Sequence, residues 1–316
     1  MSSSHALPAH PTIAVVGAGR VGSTLALAAT QAGYAVLAVH SRTPTRGQAL
    51  ADQVGARLAP DLAGLAASAD LIFLAVPDDA IALVDAAGAD GWRPGTGVVH
   101  HSGLHSATLL EHAAGAGALT GTLHPLQAIT DPVSALRLLP GTYFGVSGDP
   151  RLLPVLQAFV QALGGHPITV PDAAKPLYNA AAVFASNYVV TCFAQAVDLL
   201  VRLGIDPDTA AHALLPLTQG AVANLHSPGL PQALTGPISR GDAGTLTIHL
   251  QQLAAYDAGL LPLYRLLGQA TIPIAAAQGR LAPAALAALT AALSPSSADR
   301  TAPVVTTTLL PIEQRL

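Results

Sequence analysis

The sequence predicts an α/β fold class, with an N-terminal doubly wound, mostly parallel sheet followed by an all-α C-terminal domain. Three observations carry that expectation. The apolar run Thr12-Ile13-Ala14-Val15-Val16 feeds a Gly-x-Gly-x-x-Gly turn, and a helical pattern then covers residues 21–32. Further short, continuously apolar runs alternate with helical segments as far as Val170, as strands buried on both faces do. From Asp172 onward strand signals vanish and apolar helical patterns take over.

The elements follow in order. Residues 35–39 read as the second buried strand. Residues 71–76 form a continuous apolar strand, stopped by Pro77-Asp78-Asp79, which open the next helix. The strand at 97–101 is broken by Ser102-Gly103, and the one at 118–123 ends at His124-Pro125. Strands at 142–146 and 167–170 flank a helix over 151–163. A helix of about 30 residues is expected from Asp172 to Leu203, ended by Gly204. Others are expected at 207–225, 242–260, 262–278 and 283–293. The domains are therefore drawn at 1–170 and 171–293, with a Ser-, Thr- and Pro-rich tail over 294–316. Ligands of such sheets lie beyond the carboxyl ends of the strands. That edge would gather residues 17–22, Ser41 and Arg42, 76–78, 101–103 and 124–126.

In Gly17-Ala18-Gly19-Arg20-Val21-Gly22 the first glycine permits a tight turn and the second lets a pyrophosphate approach the backbone. The third lets helix and strand pack closely, and the helix N-terminus offers free N–H groups and a partial positive charge. Gly17, Gly19, Arg20, Val21 and Gly22, with Val76 and Pro77 at a neighbouring strand end, are the expected dinucleotide contacts. NAD-specific folds place an acid about 20 residues past the glycines, whereas NADP-specific folds use Arg. No acid lies between Gly22 and Asp52, while Ser41, Arg42, Thr43 and Arg46 follow the second strand. Arg42 can offer its planar fork to a 2′-phosphate, so NADP is favoured over NAD.

Composition excludes several classes. The chain is 51% apolar and 10% charged, with a mean hydropathy of +0.48. The most apolar stretch, 180–200, carries Ser186, Asn187, Gln195 and Asp198, which suits a buried core helix better than a membrane span. Residues 1–11 show neither the basic nor the apolar region of a secretion signal, so a cytoplasmic protein is expected. The single cysteine, Cys192, excludes an internal disulfide and is expected to be an inert core thiol. A net charge of −4 without a Lys/Arg-rich run argues against nucleic acid as a partner. Helices this rich in alanine and this apolar are expected to bury one face in a symmetric homodimer.

Lys175 and Asn179 lie four residues apart on one helix face, and Ser186 falls near Lys175 on the same wheel. Such a stripe on an apolar helix meets either solvent or a site. A lysine with its pKa lowered by burial can exchange a proton at neutral pH. His124, just past a strand end, can donate to a substrate carbonyl or carboxylate, or can satisfy the turn before Pro125. His100, His101, His105, His112 and His124 raise the question of a metal. Adjacent strand residues face opposite ways and no Cys or Glu stands at ligand spacing, so none is expected. Arg240 could pair with Asp242, an expected helix N-cap, or clamp a substrate carboxylate.

The pattern Lys175-x-x-x-Asn179, at the first long helix after a Rossmann domain, resembles the β-hydroxyacid dehydrogenases and 6-phosphogluconate dehydrogenase. There the lysine is the acid/base and the asparagine holds the substrate. Their glycine-rich segment before the lysine is replaced here by Thr169-Val170-Pro171-Asp172. Other stretches are His100-His101-Ser102-Gly103, residues 121–126, Tyr178-Asn179, Ala185-Ser186-Asn187 and residues 235–242. They are similar to a group of NADP oxidoreductases with an uncharacterised helical C-terminal domain, relatives of pyrroline-5-carboxylate reductase. Relatives often carry His where Asn179 stands. This resemblance implies a nicotinamide-dependent reductase or dehydrogenase and names no substrate; the expected activity is an NADP(H)-dependent oxidoreductase acting on a small carbonyl, imine or hydroxy-acid substrate. Lys175, Asn179 and His124 would be catalytic, and Ser102, Gly103, Ser186, Asn187 and Arg240 would bind substrate. His124-Pro125 also resembles an element of prephenate dehydrogenases, which stands as the alternative together with a non-catalytic NADP-binding sensor or scaffold.

Overall fold

The computed structural model describes residues 7–295. The first six residues and the expected tail beyond Pro295 lie outside the described residues. Eight strands form one sheet: β1 Ile13–Val16, β2 Val36–His40, β3 Arg57–Leu58, β4 Leu71–Leu74, β5 Gly97–His100, β6 Leu119–Pro125, β7 Tyr143–Gly148 and β8 His166–Thr169. Their order is β3-β2-β1-β4-β5-β6-β7-β8. Every pair is parallel except β6 with β7. The order reverses between β1 and β4, which is where a doubly wound sheet opens a crevice for ligands.

Around the sheet lie α1 Arg20–Gln31, α2 Pro44–Val54, α3 Leu62–Ala66, α4 Ile81–Ala87, α5 Glu111–Gly115, α6 Pro132–Leu138 and α7 Leu153–Ala162. Strand periodicity divides the core. Leu71 and Phe73 of β4 enter a cluster with Leu25 and Phe159 on one face. Ile72 and Leu74 enter another with Ile81, Trp92 and Leu110 on the opposite face. Register carries the strand ends to one level, with Val16 opposite Leu74, Leu74 opposite His100 and His100 opposite Thr122. The turns that follow these strands share one edge for that reason.

The helical half contains α8 Lys175–Ala185, α9 Asn187–Arg202, α10 Pro207–His226, α11 Ala243–Tyr256, α12 Leu261–Ala277 and α13 Pro283–Leu293. The expected single helix from Asp172 to Leu203 is thus two helices. Ser186, at φ −128° and ψ −71°, interrupts it, and its hydroxyl donates back to Ala182 O at 2.6 Å. Side-chain caps start α10 and α11: Asp206 accepts from Thr209 N, and Asp242, the expected N-cap, accepts from Thr245 N at 2.9 Å.

The chain divides into two compact units at Tyr188/Val189, not at residue 170. Lys175 and Tyr178 bond to Ser102 in the turn after β5 and to Thr122 and His124 of β6, so α8 belongs with the sheet. The expected core burial of 180–200 also fails, since α9 has no buried residue and Cys192 is exposed. Among the described residues, none buries that helix on the side where Cys192 lies.

Two stretches, 172–202 and 258–277, have the length and apolar composition of membrane spans. The first is broken at Ser186, and the second carries Arg265, whose guanidinium donates to Ala292 O and Ser294 O. Both features suit water-facing helices better than hydrocarbon.

Candidate active site

The glycine turn fits a dinucleotide on steric grounds. Gly17 sits at φ +107°, where a side chain is strained, and a Cβ there would strike Ala75 O. A Cβ on Gly22 would strike Gly17 O and stand 2.9 Å from the Ala75 methyl. At Gly19 a Cβ would meet nothing within 4 Å. The outer glycines therefore close the turn against β4, while the middle one faces free space. No side chain caps α1 at Gly19 and no acid stands in its first turn, which leaves the helix start suited to an anion.

A cleft of about 330 Å³ opens beside this turn, lined by Gly17, Gly19, Ser41, Arg42, Arg46, Val76 and Pro77. Those are the residues the sequence pointed to. Arg20, Val21 and Gly22 form the helix start and are not among its walls. Thr43, also foreseen, lines the cleft too, as do Val16, Ala18 and Ala75, while His40, Leu62, Ala80 and Val84 were not foreseen. Leu62 and Val84 come from α3 and α4, whose approach to the sheet leaves no local motif. The donor set fits NADP: a glycine cradle for the pyrophosphate, and two guanidiniums with a serine where the 2′-phosphate would lie.

The next turn along the edge is Ser102-Gly103. The His100 Nδ1 accepts from Ser102 N at 3.2 Å, and its Nε2 donates to Ser106 O at 2.9 Å, so this ring is neutral. Burial takes its pKa down to about 4. Ser102 Oγ donates to Asp78 Oδ2 at 2.8 Å and accepts from the N–H groups of Leu104 and His105. This ties the turn to the residue after Pro77, beside the cofactor cleft. Gly103 leaves room for two side chains, since a Cβ there would stand 2.9 Å from both Asn179 Oδ1 and His124 Nε2.

His124 is held by Tyr178, whose hydroxyl lies 3.0 Å from Nδ1. Gly145 makes space for that hydroxyl, because a Cβ would come within 2.6 Å of it. Burial, helped by the positive charge of Lys175, lowers the His124 pKa to about 4. Burial pushes the Tyr178 phenol up to about 12. Both groups are neutral at pH 7; the Tyr178 hydroxyl lies against His124 Nδ1 and also, at 3.4 Å, against His124 O, and when it donates to Nδ1 the ring hydrogen sits on Nε2.

Lys175 is buried with a lowered pKa, as a proton-exchanging lysine would be. It is 1% exposed and lines neither cleft. Its Nζ donates to Ser102 O at 3.1 Å and to Thr122 Oγ1 at 3.0 Å, and Thr122 Oγ1 lies 2.8 Å from Ser147 Oγ. Burial lowers its pKa against the opposing pull of Asp172 and Asp78. The helix face that the sequence assigned to it is right, but that face turns into the sheet edge.

A second cleft of about 600 Å³ is walled by His124, Tyr178, Asn179, Ser186, Asn187 and Gln127 together with apolar residues of α8 and the β6 end. His124, Asn179, Ser186 and Asn187 were foreseen. Gln127 and Tyr178 were not given roles, although Tyr178 adjoins Asn179 in the sequence. Ser102, buried, and Gly103 form the floor of the same edge without lining this cleft. Arg240 lies in the second compact unit, at the end of the turn Ile238–Arg240, and is not among the walls of either cleft. Among the described residues there is no ion pair between Arg240 and Asp242, whose carboxylate caps α11 instead. His101 faces away from His100, donating Nδ1–H to Leu123 O at 2.7 Å. Among the described residues no group of three or more His, Cys, Asp or Glu side chains could hold a metal ion.

Comparison with known proteins agrees with this geometry. Residues 12–99 match the family model described as NADP oxidoreductase, coenzyme F420-dependent. Residues 142–271 match a domain of unknown function, DUF2520. A Bacteroides fragilis protein provisionally assigned as an NADP oxidoreductase is 25% identical, with a TM-score of 0.68 over 84% of this chain and 99% of that one. A pyrroline-5-carboxylate reductase from Coxiella burnetii shares the fold at 17% identity, TM-score 0.55, covering 90% and 96% of the two chains. A reductive aminase from Aspergillus terreus, solved with NADPH and ethyl levulinate, does so at 19% identity, TM-score 0.59, covering 89% and 92%. No curated protein matches the chain. The chain therefore joins an N-terminal segment matching the coenzyme F420-dependent NADP oxidoreductases to a C-terminal segment matching the DUF2520 domain, in a fold shared with pyrroline-5-carboxylate reductase.

Proposed function

We propose that this chain is an NADP(H)-dependent oxidoreductase acting on a small carbonyl, imine or hydroxy compound, with substrate held against His124 and Asn179. The observation that carries this reading is the convergence of His124 Nε2 and Asn179 Oδ1 over Gly103. The turn bearing Gly103 is hydrogen-bonded through Ser102 to Asp78, beside the cofactor cleft. Gly17, Gly19 and the start of α1 would hold the pyrophosphate. Ser41, Arg42 and Arg46 would hold the 2′-phosphate, and Val76 and Pro77 would flank the nicotinamide. When bound, the dinucleotide supplies or accepts the hydride at the substrate carbon.

The chain's own residues manage charge on the neighbouring oxygen or nitrogen. His124 stays neutral and donates through Nε2–H, as an electrophile that polarises C=O or C=N. Tyr178 fixes its tautomer through Nδ1. Asn179 orients the substrate beside it. Lys175 does not touch substrate in this reading: it holds a proton at Nζ behind the turn and fixes the Ser102 carbonyl and Thr122. His124→Phe is expected to lower kcat by roughly 10²–10³-fold, as loss of a preorganised donor does, while the Kd for NADPH stays within a few-fold of wild type. Steady-state kinetics beside a binding titration check this, and an unchanged kcat would remove His124 from the chemistry.

The exposed apolar face fits a second copy of the chain. Phe184 in the first unit is 69% exposed, and Val190 in the second is 69% exposed. Sedimentation is expected to find particles of twice the 31.7 kDa chain mass, and particles of the single mass would contradict the homodimer.

A further inference from the structure

The walls of the two clefts differ in charge, and the difference bears on what the second one accepts. The cofactor cleft carries Arg42 and Arg46. The second cleft, about 600 Å³, is walled by no Lys, Arg, Asp or Glu. Its polar groups are the neutral His124 and Tyr178, the amides of Gln127, Asn179 and Asn187, and the Ser186 hydroxyl. Lys175, the cation nearest to it in sequence, is enclosed and spends its donors on Ser102 O and Thr122 Oγ1.

We infer, resting on the function proposed above, that the substrate is an uncharged carbonyl or imine compound without a carboxylate. Amides, a hydroxyl and a neutral imidazole can donate to and accept from a carbonyl, an amine or an ester. None offers the bidentate ion pair with which proteins hold a carboxylate. A carboxylate entering such a space would shed water without a counter-charge, a loss that neutral hydrogen bonds only partly restore. The apolar remainder, including Ile168, Val183 and Leu126, suits a short hydrocarbon body. The volume suits a molecule of ordinary metabolite size. The acid branch of the expected hydroxy-acid substrates is thereby set aside.

The test uses an isosteric pair, 4-oxohexanamide and 4-oxohexanoate, titrated into the full chain with saturating NADP⁺ at pH 7.5 and read by saturation-transfer NMR. The amide is expected to bind at least 100-fold tighter than the acid. Equal or tighter binding of the acid overturns the inference while leaving the oxidoreductase reading intact, and so does binding of neither compound. Failure of NADP⁺ itself to bind, read in the same titration, overturns both. In addition, Gln127→Lys places a cation in the wall and is expected to raise affinity for the acid by tenfold or more. No gain there counts against the charge argument.

Discussion

Gly19→Ala should leave the protein folded and cost it the cofactor, whereas Gly17→Ala should cost it the fold. Both changes add one methyl group, and the surroundings decide the outcome. At Gly17 the methyl meets the Ala75 carbonyl, just past β4, in a backbone conformation that side chains resist. Strain of about 1–3 kcal/mol adds to overpacking of about 1–3 kcal/mol, a large part of a stability of roughly 5–15 kcal/mol. At Gly19 the methyl meets nothing within 4 Å of the protein and occupies the free side of the turn instead. Losing one or two charge-assisted contacts to a pyrophosphate, about 1.5–3 kcal/mol each, weakens NADPH binding by on the order of 10–10⁴-fold. Thermal melts and NADPH titrations on the two variants separate the cases. A Gly19→Ala protein with wild-type affinity would show that the turn does not cradle a phosphate.

Acid should destabilise this protein sharply between pH 6.5 and about 4. Burial is the leading cause that lowers the pKa of His100 to about 4, of His101 to about 3 and of His124 to about 4. In the unfolded chain each imidazole titrates near 6.5. Between those values the unfolded state binds the extra protons, so stability falls as pH falls and levels off only once the folded rings are protonated too. Each ring contributes about 1.4 kcal/mol per pH unit within its window, so two or three together remove roughly 3–4 kcal/mol per unit. His101 is the strictest case, because its Nε2 is buried with no hydrogen-bond partner among the described residues, and its ring stands edge-on to Phe73. Urea unfolding at pH 7, 6 and 5 measures the slope, and His101→Leu should reduce it by one proton. A flat profile would mean that these rings are hydrated or already charged in the fold.

Much of the sheet was legible because its signals are local. β1, β4 and β5 are short apolar runs that end at Gly, Pro or Ser, and parallel pairing carries those ends to one edge whatever the rest of the chain does. β3 was not legible, since Arg57-Leu58 is too short to leave a pattern. The glycine turn could be read in full, because each glycine answers to its own neighbours. Side-chain destinations were harder. Helical spacing puts Lys175 and Asn179 on one face, but only the packing of α8 against β5 and β6 sends the amine inward and leaves the amide at the cleft. Tyr178 becomes significant through Gly145, far off in sequence, which makes room for its hydroxyl. Cys192 and the face of α9 around it read as core because their composition is apolar, and composition alone does not tell an exposed apolar face from a buried one.

A calorimetric titration of the purified chain with NADPH, repeated with NADH and with Arg42→Ala, reaches the centre of this account. Saturable one-to-one binding is expected, with NADPH bound tighter than NADH and that preference lost in the variant, since the 2′-phosphate then has lost its guanidinium fork. The absence of binding heat with either nucleotide would contradict the assignment of the glycine-turn cleft and the function built on it.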